Sequence, residues 1–337
     1  PLDYYVSVPT GGSYNFTGGT VNLGTAATAT NFDFRIRGSV PNLTFDNTTN
    51  AKSAVLQGQT NVYGTLLLNS GTTLTLNAQT LLQLGATITN NGTINGTATA
   101  TSGTTTISST LYFLGSTPQT YGGTGTVTAP LRTLSIDNNG GGVTLNSPIV
   151  TQRVNMFTGN LNGTSNLTIG DGTAVFNVIQ IGVGGNTGSS GSFASAPTFN
   201  LGNGALQLIY APETTNRTTG FEIPADRVVD VISIANPQGV TLAGGPVAIP
   251  GVSNASLLLT SGVLTTSAAN TPILGPSAGA IPTGSATSYV RGPLAIAVNS
   301  TTAVSRTFAV GDAAGWRPVV VGGITTSAQQ IYTATVI

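Results

Sequence analysis

The chain has 337 residues with ten basic and ten acidic side chains, a net charge of zero, and neither Cys nor His. Without His or Cys there is no Ser–His triad, no thiol nucleophile and no ordinary zinc site. Sparse, balanced charge argues against nucleic acid and anionic membrane surfaces as partners, because both need clustered Lys and Arg. A hydrophobic content of 39% at zero net charge is typical of a chain that folds.

The local pattern predicts β-strands along most of the chain. Phe32–Arg37 alternates apolar and charged residues, as expected of a strand with one buried face. Thr72–Leu76, Thr124–Thr128 and Ile331–Ile337 alternate in the same way with Thr outward. Gly and Asn-Gly turn signals separate the strands, no amphipathic helix is apparent, and no stretch is apolar enough to span a bilayer.

A long internal repeat lies over this local pattern. Leu43–Asn47 recurs as Leu134–Asn138 and again as Ile232–Asn236, at offsets of 91 and 98 residues. The second and third copies are followed by the phrase Gly-Val-Thr-Leu, at Gly142–Leu145 and Gly239–Leu242. Each copy then reaches a glycine turn, at Gly71, Gly159 and Gly262.

These patterns favour an all-β, repetitive β-solenoid in which stacked coils form ladders of like residues; the alternative is a string of β-sandwich modules. The solenoid is preferred because aromatic residues make up only 6% of the chain, which is sparse for sandwich cores. We predict repeat modules at 1–100 (with N-terminal strands), 101–200 and 201–280. Residues 281–337, which carry the only Trp, are predicted to form a β cap or assembly domain, with Trp316 closing the end of the core.

Three phrases carry a family resemblance: LRTLSIDNNGGGVTLNSP, VVDVISIANPQGVTLAGG, and the ending TSYVRGPLAIAV…TFAVGDAAGWRPVVV. They resemble repeat modules, and the module that often follows them, of large adhesin-like proteins exported by the type IX secretion system. The resemblance covers residues 100–337 well and residues 1–100 loosely. It implies export across an outer membrane and an extracellular or cell-surface location.

The carboxylates are the remaining side chains that could support catalysis or metal binding. Glu222, Asp226 and Asp230 form the densest acidic group, and paired carboxylates on one face are what glycan-cleaving β-helix enzymes use. We interpret this segment as a solvated turn. Asp171 and Asp312 are single acids beside glycine, which make poor calcium sites, so no metal and no cofactor is expected.

Asp46 and Asp137 occupy one repeat position, but Ala235 replaces them in the third copy. The position is therefore interpreted as part of an Asp-Asn turn.

The sequence thus predicts a non-enzymatic, extracellular structural protein: a cell-surface fibre or stalk subunit. Apolar β-sequence at both ends, and an opening residue other than Met, suggest head-to-tail self-association or continuation in a longer chain. The alternatives are a carbohydrate-binding adhesin that contacts surface glycans and, more remotely, a polysaccharide-cleaving β-helix enzyme. The predicted assembly or partner contacts are Tyr4, Tyr5, Val6, Trp316, Tyr332 and Val336.

Overall fold

The computed structural model of the chain describes residues 2–6, 16, 18–24, 33–46, 52–96, 100–102, 105–107, 109–182, 191–250, 256–276 and 282–337. About 54% of the described residues are in strands, and the stacked parallel coils form a β-solenoid of about 11 turns. Within the described residues, helix is limited to one 3-10 turn, Thr164–Asn166. The predicted fold class is confirmed.

Most of the strands up to Ile169 are short, and they follow one another closely. In chain order they are β1 (Leu2–Val6), β2 (Val21–Leu23), β3 (Asp33–Val40), β4 (Leu43–Phe45), β5 (Ser53–Val62), β6 (Thr65–Leu68), β7 (Thr73–Thr75), β8 (Thr80–Gln83), β9 (Thr87–Asn90), β10 (Thr93–Asn95), β11 (Ala100–Ser102), β12 (Thr105–Ile107), β13 (Thr110–Gly115), β14 (Gln119–Gly122), β15 (Thr126–Thr128), β16 (Leu131–Asn138), β17 (Val143–Leu145), β18 (Ile149–Thr158), β19 (Asn160–Asn162) and β20 (Leu167–Ile169).

The strands after Ile169 continue in the same style. In chain order they are β21 (Phe176–Ile181), β22 (Ser192–Phe193), β23 (Thr198–Phe199), β24 (Ala205–Tyr210), β25 (Arg217–Thr218), β26 (Val231–Ile234), β27 (Val240–Thr241), β28 (Val247–Ile249), β29 (Ser256–Leu259), β30 (Leu264–Thr265), β31 (Pro272–Leu274), β32 (Val290–Arg291), β33 (Leu294–Val298), β34 (Val304–Phe308), β35 (Val310–Asp312), β36 (Gly315–Trp316), β37 (Val319–Ile324) and β38 (Gln330–Ala334).

The chain divides into two compact units. The first comprises Pro1–Ala174 and Gly184–Gly202, and the second comprises Val175–Val183 and Asn203–Ile337. In the first unit, one face is a sheet in the order β2-β4-β6-β9-β14-β17-β19-β22, with successive coils paired in parallel. Such parallel stacking distinguishes a solenoid from a β-sandwich, whose sheets are antiparallel.

Long strands in the first unit bend and serve two faces of the coil. Residues 53–55 of β5 pair with β7, whereas residues 60–62 of the same strand pair with β8. Its partner β3 shows a register shift between Ile36 and Gly38, where the two halves meet. One strand therefore turns a corner of the coil without a loop.

The core of the first unit is a stack of apolar ladders. Leu43, Leu66, Ile88, Tyr121 and Leu145 are paired in register on successive coils, and each is at most 1% exposed. Each coil thus covers the apolar residue of the coil before it. The strand pattern at 32–37 is confirmed for its described residues, since Phe34 and Ile36 are buried and the neighbouring arginines are exposed.

Threonine forms a ladder on the outer surface, in a register that the sequence did not predict. Thr65, Thr87, Thr120 and Thr144 are paired in register, and the hydroxyl groups of Thr87 and Thr120 lie 3.4 Å apart. β-branched side chains pack well on a pleated surface and hydrogen-bond across strands. The outer face is thus polar without carrying charge.

The second unit begins with parallel coils and ends with antiparallel pairs. Its sheets run β21-β24-β26-β29, β25-β27-β30-β32-β35-β36 and β28-β31-β33-β38. The pairs β33–β38, β34–β37 and β35–β36 are antiparallel. The change from parallel to antiparallel pairing falls within 281–337, the segment that carries the only Trp and is predicted to form a cap. The division into three modules and a cap stays a prediction.

The long repeat maps onto the structure unevenly. The second and third copies form β16 and β26, each followed by the strand of its Gly-Val-Thr-Leu phrase, β17 and β27. The first copy forms β4, which lies in the same sheet as β17 and not in that of β16. It is therefore not an equivalent copy. The apolar-Thr-apolar pattern occurs in strands of both sheets, such as β17 and β20. The predicted glycine turns are confirmed, with positive φ at Gly71, Gly159 and Gly262.

Candidate functional site

Five of the six predicted contact residues, all except Val336, lie on edge strands of the described sheets. In β1, Tyr4, Tyr5 and Val6 pair in parallel with residues 36–38 of β3, and no second partner strand occurs among the described residues. In β38, Tyr332 lies opposite Ile296, half-buried, and Val336 follows the strand. The role of these residues as contacts stays a prediction.

Trp316 lies at the surface. It is 38% exposed and pairs through β36 with Gly311, so the prediction that it closes the core is wrong. The small residue Gly284 provides the space beside its indole nitrogen. The neighbouring Arg317 forms an ion pair with Asp312 at 2.9 Å, and that carboxylate also accepts N–H bonds from Ala314 and Gly315, as expected of a turn residue.

The three acids that the sequence groups together, Glu222, Asp226 and Asp230, have separate local roles. Glu222 is 1% exposed and accepts hydrogen bonds from the Tyr210 hydroxyl at 3.0 Å and from the Gly220 N–H at 2.9 Å. Asp226 is exposed and accepts the N–H of Val228 at 3.1 Å, and Asp230 accepts the N–H of Leu206 at 2.8 Å. The prediction of a solvated turn is therefore wrong for Glu222.

The burial of Glu222 was not predicted from the sequence. Complete burial raises the pKa of Tyr210 well above its usual value, and the Glu222 charge adds to this effect. Arg227, with a φ of 59°, donates hydrogen bonds from its guanidinium to the carbonyls of Ala243, Gly245 and Pro246. The hydrogen bonds of Glu222 and Arg227 hold the segment between β24 and β26 in place. No periodic pattern in the sequence predicts these bonds.

A polar corner lies between two faces of the first unit. Arg132 of β16 donates to the Gln152 side chain of β18, whose amide nitrogen donates to Asp171 at 3.0 Å. On the same strand, Arg153 donates from Nε to Asn155 at 2.8 Å, and Asn155 donates to Ser135 at 3.1 Å. The corner gathers three of the chain's twenty charged side chains within three successive coils.

The ionisation of this corner reflects both burial and hydrogen bonding. Burial, and then the nearby charge of Arg132, lowers the pKa of Arg153. For Asp171, burial raises the pKa, but the N–H groups of Thr173 and Ala174 and the Gln152 amide outweigh it, and the pKa is below its ordinary value. Asp171 is therefore a turn acceptor, as expected.

Next to the corner, Asp137 is buried in β16. It is 0% exposed and accepts hydrogen bonds from the Tyr112 hydroxyl at 3.1 Å and the Thr158 hydroxyl at 2.7 Å. Burial raises the pKa of Tyr112, and the Asp137 charge raises it further. The Tyr112 and Phe157 rings meet edge-on with centroids 6.2 Å apart. The prediction that Asp137 forms a turn is wrong.

Three buried asparagines accept backbone hydrogen bonds in turns. Asn90, Asn138 and Asn236 are at most 1% exposed, and each Oδ1 accepts the N–H two residues on, from Gly92, Gly140 and Gln238. The amide nitrogens of Asn138 and Asn236 donate to the carbonyls of Thr117 and Thr215 on the preceding coil. In the predicted Asp-Asn turn, Asn138 and not Asp137 is therefore the turn acceptor. The burial of these asparagines was not predicted, because turn asparagines are usually exposed.

The described residues contain no group of three or more acids that could hold a metal ion. None of the helical structure in the described part of the chain is long and apolar enough to cross a bilayer. Comparison with protein-family models, with curated proteins and with solved structures gives no match.

Proposed function

We propose that this chain is an extracellular structural segment, a stalk or fibre that holds spacing at the cell surface, without enzymatic activity. The observation that carries the proposal is the in-register ladder Leu43–Leu66–Ile88–Tyr121–Leu145, in which every coil supports the next. Each added coil lengthens such a stack by about 4.8 Å. The resemblance to type IX-exported adhesin modules supports the surface location.

The proposal includes assembly with further copies. Edge strands pair readily unless they are covered or charged, and β1 has one described partner strand. In the second unit, Val320 is 64% exposed on β37 and Ile331 is 55% exposed on β38. Exposed apolar side chains on edge strands commonly form contacts with the strands of another chain.

Electron microscopy and sedimentation over a wide concentration range test the assembly. We expect end-to-end particles for the wild-type chain and mainly single particles for Val320→Lys and Ile331→Lys. Val175→Lys is the matched control, because Val175 is also an exposed apolar residue, at 73%. Single particles at every concentration for the wild-type chain would contradict a filament.

Surface labelling with antibody on intact cells, compared with lysed cells, tests the location. Assays of polysaccharide cleavage test the non-enzymatic role, and cleavage that Glu222→Gln abolishes would overturn it.

A further inference from the structure

A second array of short side chains lies on the outer surface of the first unit. Strands β5, β7, β10 and β15 are neighbours in one sheet, and their paired segments are parallel without a register shift. The central residues Ala54, Leu74 and Ile94 are 0% exposed, so the residues on either side of them point outward. These outward positions form two columns, which together we call the threonine lattice: Ser53–Thr73–Thr93–Thr126 and Val55–Thr75–Asn95–Thr128.

The pairing of the strands gives the threonine lattice a regular geometry. Neighbouring strands are about 4.8 Å apart, and residues two apart on a strand are separated by about 6.6 Å. Five of the eight positions are Thr, whose β-branched side chain is stiff at χ1. The hydroxyl and methyl groups are therefore held at repeating positions before any partner binds.

The threonine hydroxyl groups of the lattice are available to solvent. Thr126 and Thr128 are exposed, and Thr73, Thr75 and Thr93 are half-buried. In the part of the chain that the structure describes, no hydrogen bond within the protein uses these five hydroxyl groups. Since a hydroxyl has one donor and two acceptor positions, each of them can form hydrogen bonds to water.

The threonine lattice carries no charge. All eight positions lie within residues 53–131, a stretch without Asp, Glu, Lys or Arg. Charged side chains are strongly hydrated and would disturb a regular layer of water around them. An uncharged array of hydroxyl and methyl groups therefore suits a neutral partner that is itself regular.

We propose that the threonine lattice binds the surface of ice. The water molecules of hexagonal ice lie in rows, with one repeat close to the spacing of β-strands and another close to the spacing of alternate residues on a strand. Water bound to the hydroxyl groups can therefore occupy positions of the crystal at the same time. Because the side chains are fixed by the sheet, little ordering of the protein opposes binding. The proposal goes beyond the structural role and does not depend on self-association.

Measurements of ice growth with the whole chain test the proposal. We expect the wild-type chain to keep ice grains small during annealing and to lower the freezing point below the melting point. Thr93→Tyr, in the interior of the lattice, should need roughly ten times the wild-type concentration for the same effect. Thr144→Tyr is the matched control, since Thr144 is a half-buried strand threonine in the other sheet, and it should keep wild-type activity.

Circular dichroism and unfolding midpoints show whether each variant keeps its fold. Thr128→Tyr changes an exposed position of the lattice, so the fold should tolerate it, and it should also weaken the effect on ice. Thr93→Val keeps the shape of Thr without the hydroxyl and should be more active than Thr93→Tyr but less active than the wild type.

The proposal is overturned if the wild-type chain at millimolar concentration leaves ice growth unchanged, or if Thr144→Tyr loses as much activity as Thr93→Tyr. Sedimentation with crystalline cellulose tests the rival partner. Binding to cellulose that Thr93→Tyr abolishes, together with no effect on ice, would assign the lattice to a polysaccharide surface instead.

Discussion

The backbone carbonyl oxygen of Asn138 lies 1.8 Å from the position that a Cβ on Gly159 would occupy. The same relationship recurs one repeat later, with 1.8 Å between the carbonyl oxygen of Asn236 and a Cβ on Gly262. Neighbouring coils therefore touch through their backbones at these corners. Both glycines have a positive φ, at 79° and 82°.

Replacing Gly159 by Ala is expected to destabilise the chain by about 3 kcal/mol or more, because left-handed strain of about 1–2 kcal/mol adds to a clash with backbone. Gly262→Ala should behave alike. Gly323→Ala separates the two effects, since Gly323 has a φ of 69° but nothing within 4 Å of its Cβ position. Denaturant unfolding measures all three, and equal losses in Gly159→Ala and Gly323→Ala would contradict the clash.

The buried side-chain amide of Asn138 is expected to contribute more to folding stability than the exposed amide of Asn139. It donates to Thr117 and Gln119 and accepts from Gly140 and Gly142. Asn138→Ala leaves these groups unsatisfied and should cost about 3 kcal/mol. The adjacent, exposed Asn139 is the control, and its change to Ala should cost less than about 0.5 kcal/mol. Similar unfolding midpoints for the two variants would show that the corner network contributes little.

Glu222 and Asp226 offer a second matched pair. Glu222→Ala removes the buried acceptor of the Tyr210 hydroxyl and should cost about 3 kcal/mol, whereas Asp226→Ala at an exposed turn should cost under about 1 kcal/mol. Thermal or denaturant unfolding distinguishes them. A larger loss for Asp226→Ala would mean that the buried cluster does not anchor its segment.

Acid should destabilise the polar corner through Asp171. Its pKa is depressed in the folded chain, so its contribution to stability is complete above the unfolded value of about 3.9 and is lost as the pH falls through the folded value. Unfolding free energies between about pH 5 and pH 2 should fall less steeply in Asp171→Asn than in the wild type. Gln152→Ala removes one donor to Asp171 and should have an intermediate slope; identical slopes in all three would refute the assignment.

The single Trp provides an optical test of the second unit. Because Trp316 is 38% exposed, its fluorescence in the native chain should be quenched by iodide, and Trp316→Phe should change stability by less than about 1 kcal/mol. Fluorescence that iodide quenches only after unfolding would place the indole in the core, as the sequence had predicted.

Strand patterning was the part of the fold that the sequence predicted well. Alternation at 32–37 and positive φ at Gly71, Gly159 and Gly262 follow from local physics, in which buried faces repeat every second residue and left-handed turns need glycine. The sequence does not predict which face of the coil a strand occupies. β4 and β16 share a pattern but lie in different sheets, so residue type alone does not decide the face.

Burial of polar groups was the part that could not be predicted. Asp137, Glu222 and Asn138 are residue types normally found in solvated turns, yet each is at most 1% exposed. Their partners, such as Tyr112 and Tyr210, lie 25 and 12 residues away and follow no fixed spacing. Only the stacking of coils brings these partners together.

The in-register pairing of successive coils has a consequence for how the length of this chain could change during evolution. Since each coil pairs with its neighbours through backbone groups and like residues, one coil can be duplicated or lost while the ladders on either side rejoin. The molecule can therefore be lengthened in steps of one rung, about 4.8 Å each, and selection can adjust reach without inventing a new core.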